Sequence, residues 1–236
     1  MLIIAIPKSA STSLLYTLGK IYQRPATQLE FPDHQPCPES RQLHHYHPDI
    51  VNFTGVDMRN FSSSVHFYKQ HILPTAHNLQ LLRHLPKVIL LRQPEEVVLA
   101  YRRAELKGHH QPKAAFMNCK TDNEWLEAAA ANGLLDDLRY FYDGWSLEKN
   151  ALLLNYEDLL QHTSTSIRKI EHYWRLPAFT GQISLSKKRY TRYSSTGAAA
   201  FRLKNHLRKL AGRAGVAGKM KALQGFLRRQ GINIEV

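Results

Sequence analysis

The sequence predicts an α/β protein with a central, mainly parallel sheet, on three observations. Short apolar, β-branched runs alternate with helix-periodic stretches, two of those runs pass through a tight turn straight into a helix, and 43% hydrophobic residues over 236 suffice for one well-buried domain. The first run is Leu2 to Ile6. After a break at Pro7-Lys8 it is followed by Ser11 to Lys20, where Leu14, Leu15 and Leu18 share a helical face. Residues 25–49, containing "FPDHQPCPESRQLHHYHPD", read as a long surface excursion that shapes a substrate mouth.

Next, "SSSVHFYKQHI" reads as a strand and Leu79 to Leu85 as a short helix after Pro74. "KVILLRQPEEVVLAYRRAELKG" is a second strand–turn–helix unit, with Pro at the first helical turn and two acids where the helix dipole favours them. Asn123 to Trp145 carries one or two helices, "NALLLNYEDLL" is another core strand leaving into a turn, and Thr163 to Trp174 is a helix. Glu157-Asp158 reads as an N-cap pair. There is no internal repeat. One domain over 1–236 is expected, with 187–236 a basic helical C-terminal segment holding helices at 198–211 and 219–229.

Charge is concentrated in that segment: it holds thirteen Lys or Arg against the single acid Glu235, and so +12 of the formal net +13. Such a segment suits nucleic acid, an anionic membrane or a polyanionic ligand. Its only phenylalanines, Phe201 and Phe226, fall at helix-core positions, so stacking on single strands has little to build on and no stable nucleic-acid partner is expected. No apolar run reaches the length of a membrane span, and the opening residues lack the zones of a signal peptide. Cys37 and Cys119 match no CxxC pattern. A cytoplasmic protein with free thiols is the expectation.

The chemistry gathers at the turns. Lys8 stands between an apolar strand and a hydroxyl-rich helix start, where backbone N–H groups and hydroxyls collect around an anion such as phosphate. The loop is not a Walker A motif, because the lysine comes first and no glycine is present.

"IPKSASTSL" resembles the 5′-phosphosulfate loop, usually PKSGTTW, of the sulfotransferases that use 3′-phosphoadenosine 5′-phosphosulfate (PAPS). "VILLRQPEEVVLAY" resembles their second signature, a strand ending in Arg, then x-Pro and a helix. "YKQHILP", whose His71 lies 21 residues before Arg92, resembles their KTHLP segment, and "LLLNYEDLL" is similar to a core strand ending in Tyr-Glu-Asp. These segments cover roughly residues 1–175. Further on, "RAGVAGKMK" resembles the third signature, RKGxxGDWK, with Arg213, Gly215, Gly218 and Lys221 in register and Arg213 57 residues after Tyr156.

The resemblance implies a P-loop-like fold, PAPS as donor, and in-line sulfuryl transfer to a hydroxyl, less readily an amine, of a small-molecule or carbohydrate acceptor, anionic ones included. It implies Lys8 as the stabiliser of charge on the leaving phosphate and His71 as the base. It places Lys8, Ser9, Ala10, Ser11, Thr12 and Ser13 around the 5′-phosphate, with Arg92, Arg213 and Gly215 at the 3′-phosphate, and it requires no metal. Ala214 and Met220 depart from the third signature, and three residues depart from the others. Ala100 replaces the usual serine eight residues after the arginine, Ser13 replaces an adenine-stacking tryptophan, and Ala10 replaces the loop glycine, which is tolerable where no positive φ is needed. His44, His45 and His47, without a nearby Cys, read as solvated or substrate-facing rather than metal-ligating. Two rival readings are a small-molecule kinase on the same core and a nucleic-acid or anionic-surface binding protein that works through its tail.

Overall fold

The chain runs β1 (Leu2–Ala5), α1 (Ser11–Tyr22), β2 (Ala26–Thr27), α2 (Gly55–Phe61), β3 (Phe67–Gln70), α3 (Ala76–Leu82), β4 (Lys87–Leu91), α4 (Pro94–Leu106), α5 (Asp122–Ala131), α6 (Leu134–Ser146), β5 (Ala151–Asn155), α7 (Tyr156–Gln161) and α8 (Thr163–Trp174), with 3-10 turns at Leu43–His45 and Ala114–Phe116. This structure, a computed structural model, describes residues 1–31, 33–62, 65–106 and 114–186. The expected basic helices, and with them Arg213, Gly215, Gly218 and Lys221, lie outside the described residues.

The five strands form one sheet in the order β2-β3-β1-β4-β5, and all four pairings are parallel. Parallel strands are joined by crossovers that bury both faces, which is why β1 reads as an unbroken apolar run. Ile3 and Ala5 face one layer, with Leu14 and Leu18 of α1 and Ile167 and Ile170 of α8. Leu2, Ile4 and Ile6 face the other, with Val97 of α4 and Phe141 and Trp145 of α6. The α/β architecture follows as predicted.

Four local expectations change. The run "ALLLN" forms β5, but β5 is an edge strand paired only with β4, and Leu153 is 39% exposed. The excursion over 25–49 is more than a surface loop: Cys37, Leu43 and Asp49 are buried within it. Helix α2 was not anticipated. Its sequence signal is Thr54-x-x-Asp57, a capping box in which the threonine oxygen accepts from Asp57 N–H and the Asp57 carboxylate accepts from Thr54 N–H. Finally, the N-cap of α7 is Asn155, so Glu157 and Asp158 sit in the first helical turn, where they complement the dipole instead of capping.

Candidate active site at the switch point of the sheet

From β1 the chain crosses toward β2, on one side of the sheet, and from β4 it crosses to β5, on the other. The crevice beyond the carboxyl ends of β1 and β4 is therefore the topological switch point, where open parallel sheets bind ligands. Lys8 lies three residues past β1, Arg92 directly after β4 and His71 directly after β3. The tertiary fold thus brings three residues far apart in sequence to one edge.

Two residues of the loop after β1 have left-handed backbone, Lys8 and Ala10, each with φ 60°. Ala10 is the N-cap of α1, and no side chain caps that helix. A left-handed residue leading into helical Ser11 turns successive N–H groups inward to form an anion-binding concavity at the positive end of the dipole. Ser9 is buried, and its hydroxyl donates to the Ile6 carbonyl at 2.6 Å, so it braces the turn from inside. Thr12 and Ser13 are half-buried on the first turn of α1, and Ser11 is buried beneath them.

The condition under which alanine was tolerable at position 10 is not met, because the position does require positive φ. An L-residue there is disfavoured by about 1–2 kcal/mol, so Ala10→Gly is expected to raise unfolding stability by about 1 kcal/mol in urea titration. A lowered midpoint would show that the loop has another conformation.

Arg92 fastens this loop to β4. Its guanidinium donates to the Lys8 carbonyl at 2.7 Å and to Glu96 at 3.2 Å, and lies 3.9 Å over the Tyr156 ring. It is 7% exposed, and its Nε is buried with no hydrogen-bond partner among the described residues. A buried cationic N–H without an acceptor fits an anion at the loop. Ala100, on α4, is half-buried.

The Lys8 ammonium stands 5.0 Å over the Tyr101 ring, and burial lowers its pKa to about 8. The Tyr101 hydroxyl lies 2.5 Å from His47 Nε2, and the His47 and His71 rings pack edge to face with centroids 4.3 Å apart. Lys8, Tyr101, His47 and His71 therefore form one continuous cluster.

His71 is 4% exposed and fully engaged. Its Nδ1 lies 2.6 Å from the Ala5 carbonyl, which can only accept, so Nδ1 carries the proton. Its Nε2 then presents a lone pair to the Lys69 ammonium at 2.8 Å, and its backbone N–H donates to Asp49 Oδ2 at 2.8 Å. Burial first, then the charges of Lys69 and Lys8, hold its pKa well below the ordinary 6.5.

Asp49 shares Oδ2 with Gln28, while its Oδ1 is buried with no hydrogen-bond partner among the described residues. Nitrogens of His47 and His71 and an oxygen of Asp49 lie within 4.8 Å of one another, close enough to invite a metal ion. The donor set does not fit one. A divalent ion would have to take the His71 lone pair that Lys69 now holds and then sit among the charges of Lys69 and Lys8.

His47 is delivered by a segment tied down from α6. The Asp137 carboxylate, 3% exposed, accepts from the Ser40 hydroxyl at 3.0 Å and from the backbone N–H groups of Arg41, Gln42 and Leu43 at 2.9, 2.8 and 2.8 Å. Sequence reasoning missed Lys69, Asp49, Tyr101 and the distinct placement of His47. Only Lys69 carried a signal, two residues before His71 on a strand and so on the same face. His45 fits the solvated reading, being exposed with its ring tilted against that of His44 at 3.8 Å, whereas His44 is half-buried with Nδ1 3.2 Å from the Ser40 hydroxyl.

No protein-family model matches this sequence, and no curated protein matches it. Among solved structures, a sulfotransferase from Alicyclobacillus acidocaldarius is similar at a TM-score of 0.42 and 12% identity, over 89% of this chain and 93% of that one. No helix among the described residues is long and apolar enough to cross a membrane.

Proposed function

We propose that the switch-point site transfers a sulfuryl group from PAPS to a hydroxyl, less readily an amine, of a small-molecule or carbohydrate acceptor. The observation that carries this reading is the loop itself: an uncapped helix start, entered through left-handed Ala10, beside a lysine and a buried arginine with an unmet N–H. That combination suits a phosphate or sulfate ester, and the motif order read from the sequence selects a phosphosulfate.

PAPS supplies an activated sulfuryl group whose departure leaves negative charge on a phosphate oxygen. The N–H groups of residues 9–13 hold that phosphate, and the Lys8 ammonium meets the charge as it grows. Arg92 keeps the loop in its left-handed form and offers Nε to the ligand. On the acceptor side, one imidazole of the His47–His71 pair takes the proton; both are held neutral at physiological pH by burial, so a base is at hand. The residues of 25–60 surround the acceptor.

The test is a thermal shift with 3′-phosphoadenosine 5′-phosphate against AMP and ATP. The bisphosphate is expected to raise the melting temperature most, with about 2.7 kcal/mol of stabilisation at a hundredfold excess over Kd. A larger, magnesium-dependent shift with ATP would favour the kinase reading instead.

A further inference from the structure

We propose that the acceptor's proton goes to Nδ1 of His47, with His71 acting as a positioning residue; this rests on the sulfuryl-transfer reading above. His71 has no lone pair to offer, since Ala5 O fixes the proton on Nδ1 and Lys69 occupies Nε2. It also lies 4% exposed at the end of β3, beneath the ring of His47. His47 as a whole residue is half-buried, less enclosed than His71. One of its nitrogens, Nε2, is committed to Tyr101, and Nδ1 makes no hydrogen bond among the described residues. This role requires the tautomer in which Nε2–H donates to the Tyr101 oxygen, which leaves Nδ1 a bare lone pair and which nitrogen NMR reads directly.

Tyr101 sets the distance between the two halves of the reaction, because the same side chain binds His47 through its hydroxyl and lies under the Lys8 ammonium through its ring. The groups around His47 are Tyr101 of α4, Lys69 and His71 at β3, Lys8 of the loop and Asp49 of its own segment. Burial first, then His71, Lys69 and Lys8, keeps His47 neutral before reaction, while the Asp49 carboxylate, with Oδ1 unmet, favours the imidazolium once it forms.

In the step, an oxygen lone pair of the acceptor forms the new O–S bond. The S–O bond to the 5′-phosphate breaks, and its electron pair stays on the phosphate oxygen beside Lys8. The acceptor's O–H proton passes to His47 Nδ1, and the resulting imidazolium later loses it to solvent.

Two phenols separate a base from a scaffold. 2-Naphthol must lose a proton during transfer, whereas 4-nitrophenol, a much stronger acid, is already substantially ionised near neutral pH. His47→Ala is expected to lower turnover of PAPS with 2-naphthol by about 10²–10⁴-fold, to spare 4-nitrophenol to within a few-fold, and to be partly rescued by free imidazole. His71→Ala, acting through position, is expected to slow both phenols alike without rescue. Equal losses on both phenols for His47→Ala, or imidazole rescue of His71→Ala, would overturn the assignment. Nitrogen NMR of the unmodified protein gives an answer independent of turnover: His47 Nδ1 must be unprotonated, and a protonated Nδ1 rejects the proposal. If instead the wild-type protein neither binds 3′-phosphoadenosine 5′-phosphate nor turns over PAPS, the underlying sulfuryl-transfer reading fails.

Discussion

Lys8→Ala is expected to lower sulfuryl-transfer turnover by about two to three orders of magnitude, the loss that follows removal of one preorganised donor to developing charge. Binding of 3′-phosphoadenosine 5′-phosphate should weaken far less, because the N–H groups of the loop remain. The lysine also sets an alkaline limit. Its pKa, lowered to about 8 by burial, means that the stabilising ammonium is present below about 8 and lost as pH rises through that value. Turnover per unit of free enzyme should fall over that range, and the residual activity of Lys8→Ala should lack that limb.

Stability should move in the opposite direction. The folded protein holds Lys8 less strongly protonated than the unfolded chain, so the charged side chain opposes folding at neutral pH, and Lys8→Met should raise the melting temperature while lowering turnover as Lys8→Ala does. Near-normal turnover in Lys8→Ala, measured as release of 3′-phosphoadenosine 5′-phosphate, would remove the mechanism.

The second large effect lies away from the loop. Asp137→Ala removes a buried carboxylate that accepts three backbone N–H groups and the Ser40 hydroxyl, and the cost of leaving buried donors unmet puts the loss near 3–5 kcal/mol in urea titration. The same carboxylate anchors the segment that carries His47, so transfer should fall as well. Affinity for 3′-phosphoadenosine 5′-phosphate should hold, since the loop after β1 is built on other elements. Asp137→Asn keeps one acceptor oxygen and should lose less. A loss under about 1 kcal/mol in Asp137→Ala would mean that water replaces the carboxylate and that the segment is not rigidly held.

Much of this protein was legible in the sequence because its signals are local. Apolar runs of β-branched residues, Pro94 at a first helical turn and the 3.6-residue spacing of Leu14, Leu15 and Leu18 depend only on near neighbours, and each produced the predicted element. The positions of Lys8 and Arg92 at strand ends followed from the same strand–turn–helix pattern. What the sequence left undecided depends on contacts between distant segments. The edge position of β5 depends on which strands pair, and "ALLLN" looks the same in the middle of a sheet as at its border. The engagement of both His71 nitrogens needs Ala5, 66 positions earlier, while Asp137 holds the backbone of a loop almost a hundred residues before it. His47 shares its sequence surroundings with His44 and His45, and only the packing of α4 against that loop, through the Tyr101 hydroxyl, sets it apart. Local propensity could name the turns that hold chemistry; how the rings of His47 and His71 are partnered was decided by the tertiary arrangement of donors and acceptors around them.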